Sequence, residues 1–417
     1  MLLIWIPVSV LAMYFILNTV YGKLWKNGLQ AELRFEERDV EEGDAATLVE
    51  TMTNDKFLPL PVVKLSFKMD RSIEIDEDRN ATVSDRTNVV EFFGLGGHEA
   101  VTRRQPVRAS KRGYYLITEA DLALPDFFTE GVRYLSTNQA ASLLVCPRML
   151  EDEETLDISE QLIGEVMSRN RLYQDAFTFI GIREYTSGDP LSAINWKASA
   201  RTGEYMVNIR DYTCGMHVRF LLDLEPPSIR YSEELLEQGI RLAYTLAGRC
   251  AQARIPVSLA SNGRDTVTGK EVALPSGSSE RHIGAIGEAL ARVSLSAKPR
   301  PFSELLREER LNMTTGSGSA GPHPGQNTAL CLISSGQTDS LLTEADALAQ
   351  LCAGQGGGFV IAQPRKHHEG QGGGFAGGQT EGGFSGQGAG LLWICILDPE
   401  VERKEVPASI WFVPLRY

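Results

Sequence analysis

Histidine and cysteine are scarce in this chain, and their scarcity excludes much chemistry. Six of each are spread over 417 residues. The cysteines are Cys146, Cys214, Cys250, Cys331, Cys352 and Cys395, and no two form a C-x-x-C pair. Cys331 and Cys395 sit in apolar runs, so buried thiols in a reducing compartment are expected rather than disulfides or a metal knuckle. His217 and His282 stand singly, and His367 and His368 fall in a glycine-rich stretch where no packing would hold a ligand geometry. There is no G-x-S-x-G elbow and no G-x-x-x-x-G-K-[ST] loop, so neither a serine hydrolase of that kind nor a P-loop ATPase is written here. Cys214 lies near His217 but has no orienting third group in view. Basic residues are in deficit too: 41 Lys and Arg against 54 Asp and Glu give a net charge of −13. That balance lacks the basic face a nucleic acid requires.

Charge is also missing from residues 2–21. A spanning helix needs ~20 such residues, so residues 1–25 are expected to cross a membrane once. A basic start and a small-residue cleavage site, the marks of a signal peptide, are both absent. Lys23 and Lys26 come after the apolar run, and Trp5 and Trp25 are placed to mark its two interfaces. The positive side then holds the bulk of the chain in the cytoplasm.

Beyond this segment the chain has two rhythms. Over residues 28–150 the pattern alternates, as in Ala31-Glu32-Leu33-Arg34-Phe35-Glu36 and Val63-Lys64-Leu65-Ser66-Phe67-Lys68. Turn signals at Glu42-Gly43-Asp44 and Asn54-Asp55 separate such runs, and the whole reads as an all-β sandwich. From 215 to 417 apolar strands alternate with helices. Strands are expected at 218–224, 256–260, 329–333, 359–361 and 391–397. Helices are expected from Ser232 to about Ala253, over 283–293, and from Thr338 to near Cys352. That order reads as a doubly wound α/β domain. Two inserts, 314–327 and 354–390, are too rich in Gly, Ser and Pro to bury much surface, and are expected to be loops. The G-x-G-x-x-G matches inside them arise from that composition.

Residues 151–214 read as a linker, polar and partly helical over 151–176, carrying one dense motif, Gly181 to Arg201. Ser187-Gly188-Asp189-Pro190 is a turn, and charges flank it with Trp196 at the centre. The motif resembles the pattern R-E-Y-x-x-G-D-x-x-R-x-I-D-W-K-x-x-A-R of the domain of unknown function 58 family. Arg183, Glu184, Tyr185, Gly188, Asp189, Ile194, Trp196, Lys197, Ala200 and Arg201 match. Ser192 or Ala193 stands at the usual Arg and Asn195 at the usual Asp. Arg112-Gly113-Tyr114-Tyr115, Asp126-Phe127-Phe128 and the strand ending Val145-Cys146-Pro147 resemble further runs of that family. The resemblance covers roughly residues 1–260. It implies a von Willebrand factor A-like domain after the sandwich. It also implies partnership with a MoxR-type AAA+ ATPase in the assembly of complexes, no cofactor, and no catalysis.

Three functions rank in order: a membrane-anchored scaffold or adaptor, a metal-dependent ligand-binding protein, and a hydrolase using Cys214 or the motif carboxylates. The metal site of an A-like domain needs D-x-S-x-S, since a hard cation takes oxygen ligands. Here the run is Asp223-Leu224-Glu225-Pro226-Pro227, so a degenerate site is expected, with Asp223 held by backbone amides. The motif has two readings. In the first, Arg183, Glu184, Asp189, Lys197 and Arg201 pair as a fastener over a buried Trp196. In the second they form a docking surface anchored by Trp196 or Tyr185. The convergence of charges on one Trp favours the buried arrangement.

Overall fold

The computed structural model describes residues 9, 13–15, 19, 22–75, 86–125, 132–172, 179–186, 191–210, 217–226, 233–315, 328–336, 338–354, 391–397 and 410–414. Most of the apolar 2–21 segment lies outside these residues, as do most of both inserts and the strand expected at 359–361. Among the described residues no helix is long and apolar enough to cross a membrane. The chain divides into two compact units, Met1–Arg148 and Met149–Tyr417.

Among the described residues, the first unit is built from strands after a helical segment that ends at Leu24. They are β1 (Leu29–Phe35), β2 (Asp39–Glu41), β3 (Ala45–Asn54), β4 (Leu60–Asp70), β5 (Ile73–Ile75), β6 (Arg86–Leu95), β7 (Glu99–Ala109), β8 (Gly113–Pro125) and β9 (Val132–Cys146). One sheet runs β1-β3-β7-β5 and the other β2-β9-β8-β4-β6. Their inward residues share one core, as in a β-sandwich. The period-two reading explains why: on β4, Val63, Leu65, Phe67 and Met69 are buried while Val62 and Lys68 face out. Gly113 has a specific reason to be glycine. A Cβ there would lie 2.8 Å from the Tyr115 ring, whose hydroxyl donates back to Lys111 O at 2.8 Å. Trp25 corrects an expectation. It is 3% exposed and belongs to the sandwich core, not to a membrane interface.

One carboxyl is out of place in this core. Glu50 on β3 is fully buried, and neither of its oxygens has a hydrogen-bond partner among the described residues. Its register partner Arg103 is engaged with Glu91. Burial, and then the Glu91 charge, push Glu50 from 4.5 up to about 7, against the pull of Arg103. The folded carboxyl therefore keeps its proton where the unfolded one has lost it. Stability is full at acid pH and falls as pH rises through that window, by about 1.4 kcal/mol per pH unit for a single group. Glu50→Gln is expected to flatten this slope and to exceed wild type above neutral pH. Urea unfolding over the same range checks it, and equal slopes in both chains would contradict it.

The second unit opens with α1 (Glu153–Leu172), β10 (Phe179–Glu184), a 3-10 turn (Leu191–Ala193), α2 (Trp196–Thr202) and β11 (Met206–Arg210). Its main sheet uses β12 (His217–Leu222), β13 (Val257–Asp265), β14 (Glu271–Gly277), β15 (Val293–Ser294), β16 (Thr328–Ser334), β17 (Leu391–Leu397) and β18 (Ile410–Pro414). Between them run α3 (Glu233–Gln252), α4 (Glu280–Ala291), α5 (Phe302–Thr315) and α6 (Asp339–Gly354). The strand order is β14-β13-β12-β16-β17-β18. Neighbours in this order pair in parallel except β14, which lies antiparallel at the edge, and β15 pairs antiparallel with β13 off this order.

Both faces of this sheet are covered. Val218, Phe220 and Leu222 of β12 pack with α1, α3 and α4, whereas Leu221 turns to α5 and α6. A strand buried on both faces must be a continuous apolar run, as 218–224 is. The partly helical start of the linker is α1, and it is more than a bridge: its Ile158, Leu162 and Val166, four residues apart, bury one stripe in this core. One element departs from expectation: α5 carries helix through Thr315, into the segment expected to be loop.

Candidate functional site

The motif folds as a two-stranded ribbon bearing a short helix. β10 and β11 pair antiparallel, with Arg183 opposite Val207 and Glu184 opposite Met206. Ile194 bridges to Val207 and leads into α2. Asn195 caps that helix: its Oδ1 accepts the Ala198 N–H at 3.0 Å, and its Nδ2 donates to Asn208 Oδ1 at 2.6 Å. An Asp here would accept the same bond, so the departure from the family pattern keeps the cap. The Ser199 hydroxyl donates to Asn195 O and accepts the Met206 N–H, each at 2.9 Å. Gly203 ends the helix at φ 79°, in the left-handed region that favours glycine.

These bonds hold a helix that burial does not. α2 has seven residues and none is buried. A helix this short is far below the ~12–15 residues that approach stability alone. It is tied down at both ends and at Ser199, and its side chains are left largely in solvent.

The expected buried Trp is therefore corrected. Trp196 is 66% exposed and Tyr205 61%. Trp196 meets Tyr205 edge-on at 6.2 Å between centroids, and Tyr205 meets Tyr185 at 6.3 Å. Tyr185 is half-buried, and its N–H donates to Tyr205 O at 2.8 Å. The charges of the expected fastener lie at the surface where they are described. Arg183, Glu184, Lys197 and Arg201 are all exposed, and Arg183 Nη1 donates to the Glu184 carbonyl at 3.0 Å. Gly188 and Asp189 lie outside the described residues. The physical reason is geometric: a two-stranded ribbon and a seven-residue helix offer too little surface to enclose an indole.

A second polar cluster lies at the carboxyl ends of β12, β13 and β16. The strand order reverses beside β12 here, where open α/β sheets place their ligand crevices. Asp223 is fully buried. Its Oδ1 accepts from Glu225 N–H at 2.8 Å and Asn262 Nδ2 at 3.1 Å, and its Oδ2 accepts from Ser334 Oγ at 2.7 Å. Asn262 also accepts from Leu224 N–H at 2.8 Å and donates to Arg300 O at 2.9 Å. Glu225 Oε2 accepts the Phe302 N–H at 3.2 Å. One backbone amide and two side chains thus satisfy Asp223, where amides alone were expected. Burial pushes it from 3.8 up to about 7 despite these donors.

A cation at this position fits poorly. It needs an ionised carboxylate with free lone pairs, and both Asp223 oxygens already face donors. Among the described residues no group of three or more His, Cys, Asp or Glu can hold a metal. Calorimetric titration of the full chain with magnesium or manganese is expected to show no stoichiometric site, and a saturable one-to-one heat would contradict this.

The residues of the hydrolase reading are described only in part: Asp189 and Cys214 lie outside the described residues. His217 starts β12 and Asp223 stands just past its end, six strand residues or ~20 Å away at ~3.3 Å per residue. His217 is tied by Ser258 Oγ at 3.3 Å and Thr328 Oγ1 at 3.1 Å, and burial, then Arg219, lowers it to about 4. The buried-thiol reading holds for Cys250 and Cys331, both enclosed in the α/β core. Burial raises Cys250 to about 12 and Cys331 well above its ordinary value.

No family model and no curated protein matches the chain. Solved structures offer partial likenesses. A type I cohesin, in a cohesin–dockerin complex from Clostridium thermocellum, is 9% identical with a TM-score of 0.20. The alignment covers 28% of this chain and 99% of that one. A non-cellulosomal cohesin from Archaeoglobus fulgidus is 10% identical over 31% of this chain and 97% of its own, with a TM-score of 0.18. The CARDB domain of a Pyrococcus furiosus protein is 11% identical over 28% and 94%, with a TM-score of 0.17. At these scores the likenesses carry no functional argument.

Proposed function

We propose that this chain is a non-enzymatic docking adaptor of the domain of unknown function 58 kind. Its N-terminal apolar segment anchors it to the cell membrane, the bulk of the chain faces the cytoplasm, and its motif binds a MoxR-type AAA+ ATPase. One observation carries the reading. The motif leaves Trp196 and Tyr205 exposed, with the half-buried Tyr185 edge-on to Tyr205. Exposed aromatics beside Arg and Lys are the residues that dominate binding hot spots. The order of the α/β sheet, with one antiparallel edge strand, supports a von Willebrand factor A-like domain as the platform.

The test is direct binding. The full chain in detergent or nanodiscs is titrated with the purified MoxR-type ATPase of the same organism. Saturable binding that Tyr205→Ala weakens supports the reading. Binding that is absent, or indifferent to Tyr205, contradicts it.

A further inference from the structure

We infer that the segment docking on this motif is acidic. The inference rests on the docking reading and adds the chemistry of the partner.

Three cations stand on the elements that carry the rings. Side chains alternate along a strand, so Arg183 shares a face with Tyr185 and, across the register, with Tyr205. Glu184, one residue on, goes to the opposite face with Met206. Lys197 follows Trp196 on α2, about 100° round the helix from it, and Arg201 stands four residues further on, on the same face as Lys197. Lys197 and Arg201 are exposed, and within the described residues no ion pair joins either to an acid. Glu204 is the carboxylate nearest in sequence to Tyr205 and is exposed as well.

This grouping stands against the balance of the chain, which carries −13 overall. Lys197 and Arg201, on the short helix that carries the exposed Trp196, do not fasten the described fold through any ion pair. With Arg183 they match carboxylates, which arginine grips with paired N–H donors, while the rings take an apolar side chain of the same segment. A basic partner would meet like charge at this face and attraction everywhere else on the chain, so it would not select the motif. Leu191, 70% exposed in the adjacent 3-10 turn, extends the apolar part of the surface.

The test places the photo-crosslinker p-benzoylphenylalanine at position 205 of the full chain in its native membrane, and maps the crosslinked peptides by mass spectrometry. The expected peptide is rich in Asp and Glu around one or more apolar residues. Lys197→Glu together with Arg201→Glu is expected to cut the yield roughly tenfold, the factor that ~1.4 kcal/mol supplies. Added poly-L-glutamate is expected to compete, and poly-L-lysine not. Neutral or basic crosslinked segments, or a yield indifferent to charge reversal, would overturn the acidic partner and leave the docking reading standing. No crosslink to any other chain would overturn both. The reversed side chains are exposed, so an unchanged melting temperature separates lost binding from lost folding.

Discussion

Asn262→Ala is expected to destabilise the α/β unit by about 3–5 kcal/mol. The side chain joins three elements: it accepts from Leu224 N–H, donates to Asp223, and donates to the Arg300 carbonyl ahead of α5. Truncation leaves the amide and the carbonyl without these partners, and each buried orphan costs ~1–3 kcal/mol. Denaturant unfolding measures it. A loss below ~1 kcal/mol would show that water replaces the amide without penalty. The carboxyl at the centre adds a pH signature. With Asp223 raised from 3.8 to about 7, the folded state holds a proton that the unfolded state has released. Its contribution is full below the lower value and is lost as pH rises through the upper one. Asp223→Asn is expected to remove that loss.

Trp196→Ala is expected to leave folding almost untouched and to abolish partner binding. In the chain the ring touches Tyr205 edge-on, a contact that contributes about 0.5–1.5 kcal/mol. A buried Trp would cost ~3–5 kcal/mol. At a hot spot the same truncation removes ~2 kcal/mol or more of binding. Arg183→Ala obeys the same logic, since an exposed ion pair contributes ~0–1 kcal/mol to stability. A large drop in melting temperature for Trp196→Ala would restore the buried fastener.

Period carried most of the fold. Alternation over β1 and β4 and the apolar run of β12 are direct consequences of which faces are buried, so they were legible. The stripe of α1 was not, because three apolar residues in a polar helix look like a solvated bridge until a partner surface is supplied. α5 was hidden in the same way by its Glu and Arg content. At the motif, residue identities were readable and exposure was not. Five charges around a Trp favoured a buried network on identity alone, but the outcome depends on how much surface surrounds them. Tyr205 and Asn262 carried no signal of their own. Tyr205 joins Trp196 only through the ribbon register, and Asn262 reaches Asp223 only through the pairing of β12 with β13.

Hydroxyl-radical footprinting of Trp196 and Tyr205, in the isolated chain and in its complex with the MoxR-type ATPase, bears most directly on the central claim. Both rings are expected to oxidise readily in the isolated chain, as solvent-facing rings do, and to become protected in the complex. Protection already present in the isolated chain would mean that the motif is a buried fastener. Exposure unchanged by the ATPase would mean that the motif is not where it docks.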